Sequence, residues 1–262
     1  MSWLDPCTDL ETGQRVAVKV IEPHREIDRI DETIFEREQN IKHLRHPNIA
    51  HLHDSGRLSD SGQFFLVFDW VENDLERWVD QHRPLLPDDF IEQIALPMAA
   101  ALAFAHEHDV VHRDVKPTNV LITDDGKPQL ADFGISKVKN QLIESGPTVV
   151  EFVSRPFAPP EGHHTSSYGR DVFSFGVLLL WCLSEVPVND YGDFQDALDD
   201  IDANPELLDL IGRCINMDEE ERPRTAVEVY SRLEDIQVAR RQHWIPAPLS
   251  PSSPDQDGSD AT

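Results

Sequence analysis

Cysteine is scarce in this chain. Cys7, Cys182 and Cys214 are the only three. Their odd number and spacing speak against a disulfide framework or a metal module, and they read as reduced, buried thiols. Basic charge is also short: 23 Lys and Arg stand against 49 Asp and Glu, a net charge of −26. That balance argues against a nucleic-acid backbone or an anionic membrane as partner, and mildly favours basic substrates or plain solubility. Long apolar runs are missing. The longest, residues 177–183, is far too short to span a bilayer, and no signal peptide opens the chain. The expectation is a soluble, cytoplasmic protein with no membrane or nucleic-acid partner. Nothing in the sequence bears on its oligomeric state. With 262 residues and 39% hydrophobic content, the chain can still bury a sizeable core, as one large domain or two lobes.

What is present alternates between two periods. After a turn signal at residues 11–14, Arg15–Ile21 alternates as a strand should, with Lys19 as the odd residue among apolar neighbours. Residues 27–44 carry helical spacing, with Ile30, Ile34, Ile41 and Leu44 on one face. His46-Pro47-Asn48-Ile49 ends that helix and leads into strands at 49–53 and 64–70, joined by a polar Asp/Ser/Gly turn. A short amphipathic helix follows over Leu75–His82, then a longer alanine-rich one over 88–108. Pro97 should kink the longer helix or mark an interrupted first half. Residues 135–157 lack strong periodicity. An amphipathic helix is expected over 225–240, and the Pro-, Ser- and Asp-rich segment 244–262 reads as a disordered tail.

The chemistry concentrates in residues 111–134, VHRDVKPTNVLITDDGKPQLADFG. Asp114 precedes Lys116 by two residues and Asn119 by five, and Asp132 lies thirteen beyond Asn119. Such a set suits carboxylates and an amide that hold Mg²⁺ on a phosphate chain while another carboxylate faces a hydroxyl. Taken singly, an Asp or Asn in a loop is a turn former. Together, D-x-K-x-x-N and D-F-G resemble the catalytic and metal-binding loops of the eukaryotic-like (Hanks-type) Ser/Thr protein kinases, of the kind found in bacteria. The resemblance covers about residues 3 to 240.

That resemblance implies an α+β, two-lobed protein-kinase-like fold. Residues 1–70 would be a small antiparallel β-sheet N-lobe and 71–243 a mainly helical C-lobe. It implies ATP and Mg²⁺ as cofactors and a Ser/Thr-bearing protein as acceptor. Asp114 would be the base, Lys116 would reach the γ-phosphate, and Asn119 and Asp132 would ligate Mg²⁺. Lys19, in Val16-Ala17-Val18-Lys19, would hold the α- and β-phosphates; alone it would be an outward-facing strand lysine. Ala17, Leu121 and the backbone of Asp69 to Val71 would contact the adenine, with Phe68 controlling the back of that pocket. The usual count back from Pro47 for the glutamate that pairs with Lys19 lands on Arg37. Glu38 lies on the inward helical face and Glu36 does not, so Glu38 is the choice, against the plainer reading of a solvated glutamate. Arg113 would meet a phosphate on the activation segment, at Thr148 or Ser145. Ser154 would carry the hydroxyl that touches Asp114 and Lys116. Glu161, in Ala158-Pro-Pro-Glu161, would pair with Arg222, and Asp171 would cap the catalytic-loop backbone. His112, Phe133, Leu52 and Ile41 fall where the family stacks an apolar column.

One element of the family is missing. A glycine-rich loop should finish near Ser2, and neither that loop nor the strand before it is present. Met1 then reads as an internal loop methionine, or the chain as a fragment. This absence keeps a rival open, a non-catalytic kinase-like (pseudokinase) scaffold. A small-molecule kinase is a third possibility, weakened by the peptide-platform character of residues 154–161. If Arg113 does receive a regulatory phosphate, replacing both Ser145 and Thr148 with alanine lowers kinase activity. Unchanged phosphate transfer by the double variant removes that assignment.

Overall fold

In Arg15–Ile21 the buried positions Ala17, Lys19 and Ile21 share one face, as the two-residue period of a strand requires. This strand, β2, is the second of a four-stranded antiparallel sheet. The computed structural model describes residues 2–21, 41–133, 156–161 and 167–243. Most of the helix expected at 27–44, Glu38, Ser145, Thr148, Ser154 and the tail lie outside the described residues. The sheet order is β1-β2-β4-β3, with β1 Ser2–Thr8, β3 Leu52–Arg57 and β4 Phe64–Asp69. Residues 2–8 show no clear alternation, yet they pair with β2 along its whole length, Thr8 opposite Arg15 and Ser2 opposite Ile21. An edge strand tolerates Pro6 because only one of its sides must join a ladder.

The strand expected at 49–53 lies instead at Leu52–Arg57, so Asp54-Ser55-Gly56 is strand and not turn. Two features explain this. A bulge between Leu52 and Asp54 shifts the register of this edge strand. At Gly56 an added Cβ would fall 2.8 Å from the Phe65 ring on β4, so the glycine serves a cross-strand contact. The real turn follows at 58–63, where Leu58 N–H donates to the Gln63 carbonyl and Gly62 takes a φ of +71°.

A short strand β5, Asn73–Asp74, pairs with β6, Val120–Ile122, which pairs with β7, Pro128–Leu130. The two sheets are tied where Leu130 N–H donates to the Asn48 carbonyl, Ala50 N–H donates to the Leu130 carbonyl, and Asn48 Nδ2 donates to the Pro128 carbonyl. Helix α1, Leu75–His82, starts at the Asp74 cap, whose side chain accepts the Arg77 N–H. The long alanine-rich helix is interrupted: α2, Pro87–Phe90, passes through a π-turn at Ile91–Ala95 into α3, Leu96–Glu107. Leu96 N–H bonds five residues back to the Ile91 carbonyl. The wider turn accommodates Pro97, which has no N–H to give and whose ring crowds the preceding turn.

Helix α4, Tyr168–Leu183, is the centre of the helical lobe, and every residue from Gly169 to Leu180 is buried. A helix apolar on nearly all sides must be enclosed. Around it stand α5 (Phe194–Asp200), α6 (Pro205–Cys214) and α7 (Ala226–His243), with α6 packed on α4 and α7 on α3. The closest approach is at Gly176, where a Cβ would come within 2.5 Å of Cys214 Cβ and 3.3 Å of backbone carbon. Gly176→Ala should therefore cost about 1–3 kcal/mol in urea unfolding. A variant as stable as the parent would mean that α6 can move away without loss.

Candidate active site

The segment after α3 owes its shape to one side chain. Asp171, in the first turn of α4, has no solvent exposure. Its Oδ2 accepts the backbone N–H of His112 at 2.6 Å and its Oδ1 that of Arg113 at 2.7 Å. His106 Nε2 adds a third donor at 3.1 Å. The His106 tautomer is set from its other side, because Nδ1 accepts the Ala226 N–H at the start of α7. Burial acts to raise the Asp171 carboxyl, but the hydrogen bonds from His106 and from the Arg113 amide hold it below the usual carboxylate range. Held in this way, Arg113 takes a φ of +74°, a left-handed conformation that a non-glycine residue keeps only where its surroundings impose it.

His112 is fully buried and bridges the two functional loops. Its Nε2 faces the Ala131 carbonyl at 2.8 Å and must carry the proton, since a carbonyl only accepts. Its Nδ1 then accepts the Asp114 N–H at 3.3 Å. Burial keeps the His112 ring below its ordinary pKa despite Asp171, consistent with this neutral tautomer. A second bridge runs from Ala131 N–H to the Asn119 carbonyl at 2.9 Å.

On that frame the polar side chains meet. Asp114 Oδ2 accepts from Lys116 Nζ at 2.8 Å and from Asn119 Nδ2 at 2.9 Å, and Asn119 Nδ2 also donates to the Asp114 carbonyl at 2.7 Å. Asn119 thereby commits its amide hydrogens and presents Oδ1 as an acceptor. Asp132, at a φ of +63°, reaches across to the other lobe, where its Oδ1 meets Lys19 Nζ at 2.7 Å. Lys19 is only 3% exposed, whereas the Asp132 side chain keeps 46% of its accessibility. Burial pushes the Asp132 carboxyl up, and the Lys19 ammonium more than reverses this, leaving it below the usual range. The Asn119 amide oxygen and the Asp132 carboxylate are hard oxygen donors of the kind that Mg²⁺ takes. Among the described residues, no group of three His, Cys, Asp or Glu side chains is arranged to hold a metal.

Ala17 lies on the buried face of β2 beside Lys19, opposite Phe68 on β4. Leu121 is the middle residue of β6. Asp69 ends β4 and leads to Val71, and its carboxylate holds His53 Nε2 at 2.7 Å. Phe133 packs on His112 with ring centroids 4.5 Å apart, and Leu52 and Ile41 are buried. Glu161 and Arg222 form a bidentate pair at 2.6 and 2.9 Å. Arg222 also donates to the Asn216 carbonyl and lies over the Phe173 ring. Two residues were not anticipated. His106 was legible only as a histidine on the apolar stripe of α3, four residues after Leu102 and three after Ala103. Tyr191 donates its hydroxyl to the Ala158 carbonyl at 2.6 Å, anchoring the segment before Glu161; no local pattern marks it.

The protein kinase domain model matches residues 4–232. The chain is similar to the probable serine/threonine-protein kinase PknB of Lactococcus lactis, 29% identical over 245 residues, which is 87% of this chain and 37% of that protein. It is also similar to the probable serine/threonine-protein kinase CPE1738 of Clostridium perfringens, 28% identical over 253 residues, 90% of this chain and 36% of that one. To the lectin-domain containing receptor kinase VI.3 of Arabidopsis thaliana it is 33% identical over 211 residues, 76% of this chain and 30% of that one. The chain thus spans little more than a third of the two bacterial relatives. Among the described residues, no helix is long and apolar enough to cross a membrane.

The Asp171 geometry has a pH signature. Its carboxyl is depressed in the folded state, so its contribution is complete above the ordinary carboxylate range and is lost as pH falls through the folded value. Urea midpoints taken from about pH 7 to about pH 3 should therefore fall more steeply for the parent than for Asp171→Asn. Parallel curves would contradict the assignment.

Proposed function

We propose that this chain, which belongs to the protein kinase family, transfers the terminal phosphoryl group of ATP to serine or threonine hydroxyls of protein substrates. The observation that carries this reading is the joining of Lys19, Asp114, Lys116, Asn119 and Asp132 across both lobes by direct hydrogen bonds and the bridges between their loops.

Phosphoryl transfer asks a protein mainly to position its reactants and to stabilise charge. Asp114, its Oδ2 oriented by Lys116 and Asn119, would receive the proton of the acceptor hydroxyl as attack proceeds. Lys116 would offset charge on the transferred phosphate. Lys19 would exchange the Asp132 carboxylate for the α- and β-phosphate oxygens. Asn119 Oδ1 and the released Asp132 carboxylate would hold Mg²⁺, which when bound supplies positive charge against the phosphate oxygens. The adenine would lie between Ala17 and Leu121, against the backbone of residues 69–71. Glu38 would pair with the Lys19 ammonium, Ser154 would bear on Asp114 and Lys116, and Thr148 would be the modified residue facing Arg113. The Glu161–Arg222 pair, closed by Tyr191, would keep the peptide platform in register with Asp114.

Incubation with labelled ATP and a generic basic protein tests this. The parent should label it. Asp114→Asn should lower kcat by about a hundredfold or more, and Asp132→Ala should abolish labelling. Equal signals from the parent and both variants would leave a non-catalytic module as the better account.

A further inference from the structure

A groove at the base of the helical lobe lies outside this site. It runs between residues 86–91, residues 202–207 and the 236–240 stretch of α7. Its floor is apolar, formed by Ile91, Leu207 and Ile236, all buried. On its rim Leu86 is 67% exposed, an unusual position for a large aliphatic side chain next to an apolar floor. The charged residues of the groove are mostly acidic. Asp88, Asp89, Asp202 and Glu206 line the groove against one cation, Arg240, and Arg240 Nε is already held by Asp88 at 2.9 Å. Asp89, Asp202 and Glu206 make no ion pair among the described residues. The groove opens at the start of the helix whose far end leads to the catalytic loop. From Ile91 to Glu107, at 1.5 Å per residue, that is about 24 Å.

We propose that this groove is a docking surface for a basic segment of a protein partner, one that carries Arg or Lys on either side of a large aliphatic residue. The aliphatic side chain covers Leu86 and rests on the Ile91–Leu207–Ile236 floor, and the cations meet Asp89, Asp202 and Glu206. Charge selects this occupant. A neutral or acidic segment would strip water from three carboxylates without replacing it. A second copy of a chain with a net charge of −26 would bring more negative charge to the same rim. Binding here needs neither ATP nor turnover, so it stands or falls independently of the kinase reading.

The test is a fluorescence-anisotropy titration of the full chain with a short fluorescein-labelled peptide of Arg-Arg-Leu repeats at low salt. Saturable binding is expected, unchanged by saturating ATP and Mg²⁺. Reversing two rim charges in Asp202→Lys/Glu206→Lys should weaken it about tenfold, and Leu86→Ser should weaken it several-fold. Both variants should still unfold in one cooperative transition, with midpoints within a few degrees of the parent's, since all three positions are exposed and Glu206→Lys gives up only a first-turn helix charge. Replacing leucine with serine in the peptide should weaken binding as Leu86→Ser does. Four results would overturn the proposal: no binding; equal affinity for the parent and the charge-reversed variant, which places the peptide elsewhere on the acidic surface; equal affinity for the leucine and serine peptides, which leaves charge alone; or displacement by ATP, which places it in the phosphoryl-transfer cleft.

Discussion

The Asp171 carboxylate has no contact with water, and three N–H groups from two other elements converge on it. An ionised carboxylate in that setting is tolerable only because its oxygens are satisfied. The same requirement fixes the backbone at His112 and Arg113, which otherwise has no regular structure to hold it. Everything downstream follows from that anchoring. The left-handed Arg113 turns the chain, His112 then reaches Ala131, and Asp114 emerges beside Lys116 and Asn119. His106 extends the anchor into α3 and, through Ala226, into α7. Three helices and a loop thus share one buried charge.

A second constraint acts between the lobes. Lys19 sits on the buried face of β2, where an ammonium needs a counter-charge, and Asp132 supplies one at 2.7 Å. The pair keeps both charges satisfied, and each partner is of the sign that a magnesium triphosphate would attract away. The ladder from Asn48 to Leu130 and Pro128 sets the distance over which they meet. Among the described residues, the hydrogen bonds of Asn48 and Ala50 and the Lys19–Asp132 ion pair help couple the small sheet to the helical lobe at the site.

Far from the site, the lobe is held by packing. Helix α4 is enclosed on nearly all sides, and Gly176 lets α6 approach to contact distance. Arg222 is one of several charged side chains buried in this interior, with Arg170 and Asp171. Its guanidinium is buried under Phe173 and is satisfied by Glu161 together with the Asn216 and Met217 carbonyls. A buried cation of this kind does little for net stability. It does fix where residues 156–161 sit relative to α4, and the Tyr191 hydroxyl on Ala158 does the same from the other side.

Local pattern was enough for much of this. The period-two run at Arg15–Ile21, the Asp74-capped helix at Leu75–His82 and the spacing of Asp114, Lys116, Asn119 and Asp132 are all short-range features, legible from backbone geometry and side-chain type. The sequence by itself therefore determined the fold class and singled out the polar residues that the fold brings together. Tertiary structure decided what depends on a distant neighbour. Asp54-Ser55-Gly56 became an edge strand because β4 offered a ladder and Phe65 needed the missing Cβ. Residues 2–8 became a strand only by pairing with β2. Pro97 was absorbed by a π-turn within a helix already held by its packing. His106 and Tyr191 acquired their roles from Asp171 and Ala158, which are 65 and 33 residues away along the chain. A hydrogen bond of that span leaves no periodicity in the sequence, because neither partner constrains the residues between them.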